Sequence, residues 1–268
     1  MTRTTNHGLT ISQLEKESTP NLHYSGVSEI YYSDFRERVL GHDSQIRRDL
    51  FEGKIFIVRS VHPTEEIVEL RKATHDYGQT APPSFHKIQG NCPNFHNVNE
   101  ENPLYKVLMR IHSYHFFRWN SEPFDIFPDV LGPLQVYETL NEYDPEKIIS
   151  NTCDDNVVPR VQIHHYPLGG GHTQMHRDPT NLVKVAWVTM MSKRGEDYQT
   201  GGLYFLDLFG EKFHPETDLE LNIGDTVVFY PPLIHGVDAI DPEQSSEWDS
   251  DNGRWSLILN NLPVAKAA

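Results

Sequence analysis

Residues 161–179 read Val161-Gln162-Ile163-His164-His165-Tyr166-Pro167-Leu168-Gly169-Gly170-Gly171-His172-Thr173-Gln174-Met175-His176-Arg177-Asp178-Pro179: a β-prone run, a glycine triplet, then a histidine and an aspartate two residues apart. In an extended segment residues i and i+2 project from one face, so His176 and Asp178 can grip one ion together. A third ligand has to come from elsewhere in the chain. His235 is placed for it, because it follows the β-prone run Thr226–Tyr230 and a Pro231-Pro232 turn and so opens a new strand. Two histidines and one carboxylate on one face of a metal leave positions open, which suits non-heme Fe(II) chemistry with dioxygen. The HxD triplet occurs by chance in many proteins, so the surrounding sequence has to carry the weight.

Outward from this stretch, short β-prone runs follow one another after Asn156, separated by Gly, Pro, Asp and Asn. Strands are predicted near Arg160–Tyr166, Val183–Met191, Leu203–Leu206, Leu219–Ile223, Thr226–Tyr230, His235–Ala239 and Trp255–Asn260. Many short strands with turn signals between them point to an antiparallel barrel or jelly roll. Before Asn156 the texture is mixed. Lys54–Arg59 reads as a buried strand, and acids after Pro63 open a helix that runs to about Gly78. Leu104, Val107, Leu108 and Ile111 fall at helical spacing, and a further helix is expected over Leu134–Tyr143. Thr80–Asn102 reads as a long loop, and His112–Trp119 as core beneath the barrel or a lid. The expected architecture is α+β, with an N-terminal helical part over about 26–156 packed on a β-barrel core over about 157–264. Together these form a single domain, 26–268, preceded by a flexible lead-in over 1–25.

Composition narrows the function classes. The 268 residues carry 38 acidic against 23 basic side chains, a formal charge of -15. A binder of nucleic acid or of anionic membranes wants a basic surface, so neither partner is expected. No apolar run approaches the length of a membrane helix, and the polar N-terminus lacks a signal-peptide core. Cys92 and Cys153 form no CxxC pair, which suits a reducing compartment, so a cytoplasmic location is expected.

Several further motifs stand in order. Tyr166 lies ten residues before His176. Gly201-Gly202-Leu203-Tyr204-Phe205 follows, then Ile223-Gly224-Asp225-Thr226-Val227-Val228-Phe229, His235-Gly236-Val237 and Gly253-Arg254-Trp255-Ser256. Over Val161–Leu262 the chain resembles the Fe(II)/2-oxoglutarate-dependent dioxygenase superfamily, in particular its prolyl-4-hydroxylase-like and small-molecule hydroxylase branch. The resemblance implies a double-stranded β-helix fold. It implies Fe(II) on His176, Asp178 and His235, with 2-oxoglutarate and O2 as co-substrates. Arg254 would hold the far carboxylate of 2-oxoglutarate by paired hydrogen bonds that lysine cannot copy, with Ser256 and Tyr166 assisting. Retention of Asp178 argues against halogenation, because related halogenases replace this carboxylate with a small residue. The gap from His235 to Arg254 is longer than in typical prolyl hydroxylases, and the acidic loop Glu243–Asp251 fills it.

The implied reaction couples oxidative decarboxylation of 2-oxoglutarate to C–H oxidation, most simply hydroxylation, of a small molecule such as a free amino acid or a natural-product intermediate. Alternatives are a peptide or protein hydroxylase, a non-catalytic metal-binding barrel, and a cupin-type hydrolase or isomerase. The last two have no need of Arg254. Alternation along the strand puts Arg160, Gln162 and His164 on the face of Tyr166. His164, Gln162 and Trp187 are the candidate substrate contacts, with Trp187 more readily read as core. His172 is not expected to be a fourth ligand. Substrate identity and oligomeric state are not legible.

Overall fold

The computed structural model describes residues 9–85, 87–150 and 156–264; Cys153 lies outside them. In chain order the elements are α1 (Ile11–Glu17), β1 (Gly26–Tyr31), α2 (Tyr32–Leu40), α3 (Ser44–Phe51), β2 (Lys54–Arg59), α4 (Thr64–Thr80), β3 (Phe95–Glu100) and β4 (Met109–Phe117). Then follow α5 (Phe127–Leu140), α6 (Pro145–Ile149), β5 (Val157–Pro167), β6 (Gly171–His176), β7 (Ala186–Met190), β8 (Gly202–Leu206), β9 (Lys212–Phe213), α7 (Pro215–Asp218), β10 (Thr226–Phe229), β11 (His235–Ile240) and β12 (Gly253–Pro263). The strands form one hydrogen-bonded array in the order β1-β2-β10-β7-β12-β5-β4-β6-β11-β8-β9, with β3 added on β4. Every pairing of named strands but β1 with β2 is antiparallel. Side chains from β5, β6, β7, β8, β10, β11 and β12 line a common cavity, so the array curls over on itself. This is the α+β jelly roll expected from the sequence.

Strand alternation divides the side chains of the central strands. On β12, Trp255, Leu257 and Leu259 are buried in the main apolar core, together with Val161 and Ile163 of β5 and Trp187 of β7. That core also takes Phe35 and Val39 of α2, Ile67 and Leu70 of α4, and Leu134, Val136 and Tyr137 of α5. The helices thus cover the outer face of the sheet, and the alternate residues of the same strands face the cavity. Fully burying each large apolar side chain contributes about 1.5–3 kcal/mol, which makes this face the main source of stability.

Several expectations are corrected. The lead-in over 1–25 gives way from Thr10 onward: Thr10 and Gln13 form a reciprocal cap on α1, and Ile11 is buried in the core. Residues 1–8 lie outside the described residues. No helix forms over 104–111. Leu104, which opens the apparent apolar stripe, is 90% exposed, and the aromatic run Met109–Phe117 pairs as β4 with β3 and β5. β3 interrupts the expected loop 80–102, and His112–Trp119 is core rather than lid. The predicted strand Leu219–Ile223 is a turn, with Glu220 at φ +49. There the Asp225 carboxylate accepts from the backbone N–H groups of Ser60 and Asn222. β6 begins inside the glycine triplet, where a Cβ on Gly171 would lie 2.6 Å from the Pro167 nitrogen. α5 starts at Phe127 and runs through Gly132-Pro133.

The long connection from β11 to β12 is fastened through its main chain. His75 and Gln79 donate to the Asp249 carbonyl, His112 to Trp248, His165 to Asn252, and the Trp255 indole and Arg71 to Asp251. His112 accepts in turn from His96, Nδ1 to Nε2 at 3.1 Å. His165 stacks on Trp255 with centroids 4.1 Å apart. Burial is the first cause lowering the pKa of His62, His96, His112, His115, His164 and His165, so the native state keeps them neutral. For His62 the value falls from 6.5 to about 4. A group with a lowered folded pKa is protonated first in the unfolded chain. Its stability contribution is therefore full above about pH 6.5 and is lost as pH falls toward 4. His62 alone accounts for about 3 kcal/mol at the bottom of that window. Thermal unfolding followed from about pH 7.5 to 5, above most carboxylate titration, should show a steadily falling Tm. A flat profile would mean that these rings are already charged in the native state.

Candidate active site

His176 ends β6 and His235 begins β11, and the two are cross-strand partners. Their ring centroids lie 4.3 Å apart. His176 Nδ1 donates to the Gln174 carbonyl and His235 Nδ1 to the Leu233 carbonyl, both at 2.8 Å. With the proton held on Nδ1, each ring presents its Nε2 lone pair inward, the tautomer a metal requires. Asp178 is placed by its backbone N–H, which donates to the Pro231 carbonyl at 3.1 Å. Its two carboxylate oxygens lie 3.6 Å from His176 Nε2 and from His235 Nε2 respectively. The three donor atoms lie within 4.8 Å of one another. Two imidazoles whose Nδ1 atoms are already hydrogen-bonded, together with a carboxylate, fit Fe(II). This is the triad read from the sequence.

The triad opens into a cavity of about 380 Å³. Four cross-strand rungs of β5 and β12 form one wall: Tyr166 opposite Arg254, His164 opposite Ser256, Gln162 opposite Ile258 and Arg160 opposite Asn260. Tyr166, His164, Gln162, Arg254, Ser256, Ile258 and Asn260 all touch the cavity. Val188 and Ala186 of β7 line it as well, which leaves Trp187 pointing the other way by strand parity. Trp187 is fully buried between Phe35 and Tyr137. Its assignment as a substrate contact is therefore corrected to core. His172 does not line the cavity; its Nδ1 donates to the Gly170 carbonyl.

Arg254 is 1% exposed and is not alone. Its Nε and Nη2 donate to the Glu216 carboxylate at 2.9 and 2.7 Å. Glu216 also accepts from the backbone N–H of Leu203 and from the Tyr198 hydroxyl. Burial would lower the Arg254 pKa, but the paired carboxylate outweighs it and drives the value up, so this guanidinium stays charged. The contacts on its other side are long, 3.3 Å from Nη1 to Ser256 Oγ and 3.8 Å from Nη2 to Met190 Sδ. That edge remains able to take a carboxylate from the cavity. The guanidinium carbon lies 5.2 Å from the Tyr166 ring centroid, and burial raises the Tyr166 pKa. The Tyr166 hydroxyl, kept neutral, accepts from Thr173 Oγ1 at 3.3 Å.

Glu216 was not singled out in the sequence. Its one trace there is the Gly201-Gly202 pair: a Cβ on Gly202 would lie 2.7 Å from Glu216 Oε2, so the glycine leaves room for the carboxylate. Thr173 and Asn260 were likewise unmarked.

Neither a protein-family model nor a curated protein sequence matches this chain. Solved structures do. Neurospora crassa T7H, crystallised full-length in complex with alpha-KG and thymine, aligns with a TM-score of 0.50 at 11% identity, over 90% of this chain and 86% of that one. The fold is that of the 2-oxoglutarate/Fe(II) oxygenases. A Pseudomonas putida prolyl-4-hydroxylase aligns at TM-score 0.48 and 13% identity, over 87% of this chain and all of the other. A 2OG-Fe(II) oxygenase family protein from Caulobacter crescentus aligns at 0.47 and 12%, over 87% and 86%. In this oxygenase fold the HxD-to-distal-histidine triad lies where β6 and β11 meet. No helix among the described residues is long and apolar enough to cross a membrane.

Proposed function

We propose that this chain is an Fe(II)- and 2-oxoglutarate-dependent oxygenase that oxidises a C–H bond of a small molecule, most simply by hydroxylation. The carrying observation is that the inward-facing His176, Asp178 and His235 open into the same cavity as the permanently charged, buried Arg254. His176, Asp178 and His235 would hold Fe(II), and Arg254 with Ser256 would hold the far carboxylate of 2-oxoglutarate. The bound iron would supply activation of dioxygen, coupled to oxidative decarboxylation of that co-substrate. The chain's own part is to orient and to exclude water. Glu216 fixes the plane of Arg254. Tyr166 and Thr173 offer hydroxyls beside it, while Val188, Phe229, Leu203 and Val237 keep the surroundings apolar. A cavity at the low end of the usual 300–1,000 Å³ or so for ligand sites favours a small substrate over a folded protein.

The test is anaerobic titration of the Fe(II)-loaded protein with 2-oxoglutarate, followed by the weak visible charge-transfer band of bidentate chelation. Absence of the band at full iron loading would return the chain to a metal-binding or cupin-type reading. Arg254→Lys keeps a charge opposite Glu216 but loses the planar fork. It should weaken 2-oxoglutarate by about 1.5–3 kcal/mol, roughly ten- to a hundredfold in the concentration needed. An unchanged requirement would move the carboxylate anchor to another residue.

A further inference from the structure

The charges that line the cavity are already committed. Asp178 belongs to the metal triad, and Arg254 divides its guanidinium between Glu216 and the edge left for 2-oxoglutarate. Beyond the triad and Arg254, no lining side chain among the described residues is a Lys, Arg, Asp or Glu. Arg160, next along the inner face of β5, does not line the cavity and sets its Nη1 against His115 Nδ1 at 3.0 Å. The polar side chains that remain are amides, hydroxyls and the imidazole of His164. That imidazole is neutral by its hydrogen bonds. The Gln162 NH2 group can only donate, so His164 Nε2, 2.5 Å from it, accepts, and Nδ1 keeps the proton toward the Tyr166 hydroxyl at 3.3 Å. Burial, with Arg160 and Arg254 adding to it, lowers the His164 pKa to about 3.

Two of the amides are half satisfied, in opposite senses. Gln162 spends its NH2 group on Ser113 Oγ at 2.9 Å and on His164, which leaves its carbonyl oxygen without a partner among the described residues. Asn260 spends its carbonyl oxygen on the Asn261 backbone N–H at 2.7 Å, which leaves its NH2 group without one among them. Both side chains are half-buried and both line the cavity. Gln162 sits opposite Ile258, so Asn260 is its diagonal neighbour on the same face, at a spacing of about 7–8 Å. An unpaired acceptor and an unpaired donor so placed match a ligand group with one donor, one acceptor and no charge, as an amide has. An ion suits only half of the pair. A carboxylate meets the Gln162 oxygen, an ammonium meets the Asn260 NH2 group, and either would be buried without a counter-charge.

We propose that the substrate is a neutral amide that presents its N–H and its carbonyl along one edge, as a primary amide or a lactam does. The N–H donates to the Gln162 carbonyl oxygen, and the carbonyl accepts from the Asn260 NH2 group. The apolar remainder of the molecule then lies among Leu182, Val183, Ala186 and Ile258. This rests on the oxygenase reading for what happens to the molecule, though not for its binding. A free amino acid is disfavoured as substrate, since both of its charges would lie unpaired beside these amides.

The experiment is calorimetric binding of butyrolactam, valerolactam and caprolactam to protein held anaerobically with Fe(II) and saturating 2-oxoglutarate. Each is compared with its N-methyl derivative, which lacks the N–H, and with its ring-opened amino acid, which carries two charges. We expect at least one lactam to bind about tenfold or more tighter than either counterpart. Gln162→Leu should bring that lactam and its N-methyl derivative to equal affinity, because it removes the acceptor of the N–H. Asn260→Leu should weaken both alike, because both keep the carbonyl. If Gln162→Leu does not fold, Gln162→Met serves in its place, and the comparison of probes on the unaltered protein stands by itself. The proposal is overturned if no lactam binds up to tens of millimolar, if the opened amino acid binds as tightly as the lactam, or if the N-methyl discrimination survives in Gln162→Leu. The chelation band reports separately on the oxygenase reading. Its absence with lactam binding intact would sink that reading and leave a neutral-amide site.

Discussion

Asp178→Ala is expected to give a folded protein that neither retains Fe(II) through desalting nor releases succinate from 2-oxoglutarate. The side chain is 51% exposed and, among the described residues, makes only the two 3.6 Å approaches to the triad imidazoles. The hydrogen bond that positions the segment, Asp178 N–H to the Pro231 carbonyl, belongs to the backbone and survives the substitution. Stability should therefore shift by no more than about 0.5 kcal/mol, as for surface positions generally. Metal retention behaves otherwise. Losing an outer partner of a ligand already costs 10- to 100-fold or so in affinity, and losing the only anionic ligand of three exceeds that. Iron stoichiometry and coupled succinate assay give the loss, and a Tm within a degree or two of the unaltered protein separates it from misfolding. Unchanged succinate formation would remove Asp178 from the ligand set.

The second large effect is on folding. Glu216→Ala strips the counter-ion from Arg254 and leaves the Leu203 N–H and the Tyr198 hydroxyl without an acceptor. Breaking one partner of a buried pair costs about 3–5 kcal/mol, because the surviving charge is left uncompensated. Urea unfolding should show that loss. Combining Glu216→Met with Arg254→Met should recover much of it, since removing both charges together avoids the orphan. A Glu216→Ala variant as stable as the parent would show that water reaches Arg254, and the cavity would then be wetter than its lining suggests. The same pairing explains why Arg254→Ala is a poor test of co-substrate binding: it would strand Glu216.

The triad was legible because its grammar is local. His176 and Asp178 are two residues apart, and His235 follows a hydrophobic strand and a proline turn. The inner face of β5 was legible for the same reason, as alternation sorted Arg160, Gln162, His164 and Tyr166 onto one side. Trp187 shows the limit of a residue-type argument. An aromatic near a site suggests a platform, yet parity on β7 turns it into the core and hands the cavity to Ala186 and Val188. Glu216 was illegible because its partners, Arg254, Leu203 and Tyr198, are distant in sequence and meet only once β8 and β12 have curled together. The apparent helix at 104–111 failed because four apolar residues can match a helical period by chance, while the stronger fact was the β-prone run that overlaps them.

The connection between β11 and β12 is gripped by His75, Gln79, His112, His165, Arg71 and Trp255 through its carbonyls, and its Trp248 ring packs on His112 besides. A hold on carbonyl oxygens does not depend on which side chains the gripped residues carry. Those six side chains therefore act as a template for a path rather than for a composition. Asp249 and Asp251 are thereby freed to drift, or to be redesigned, as long as the backbone keeps its course, whereas Trp248 packs on His112 and Asn252 donates to the Glu247 carboxylate. The constraint that would otherwise fall on this stretch has been transferred to residues far from it in sequence. Variation among naturally occurring versions of this protein should accordingly concentrate on positions 249 and 251 and spare Trp248 and the histidines beneath it.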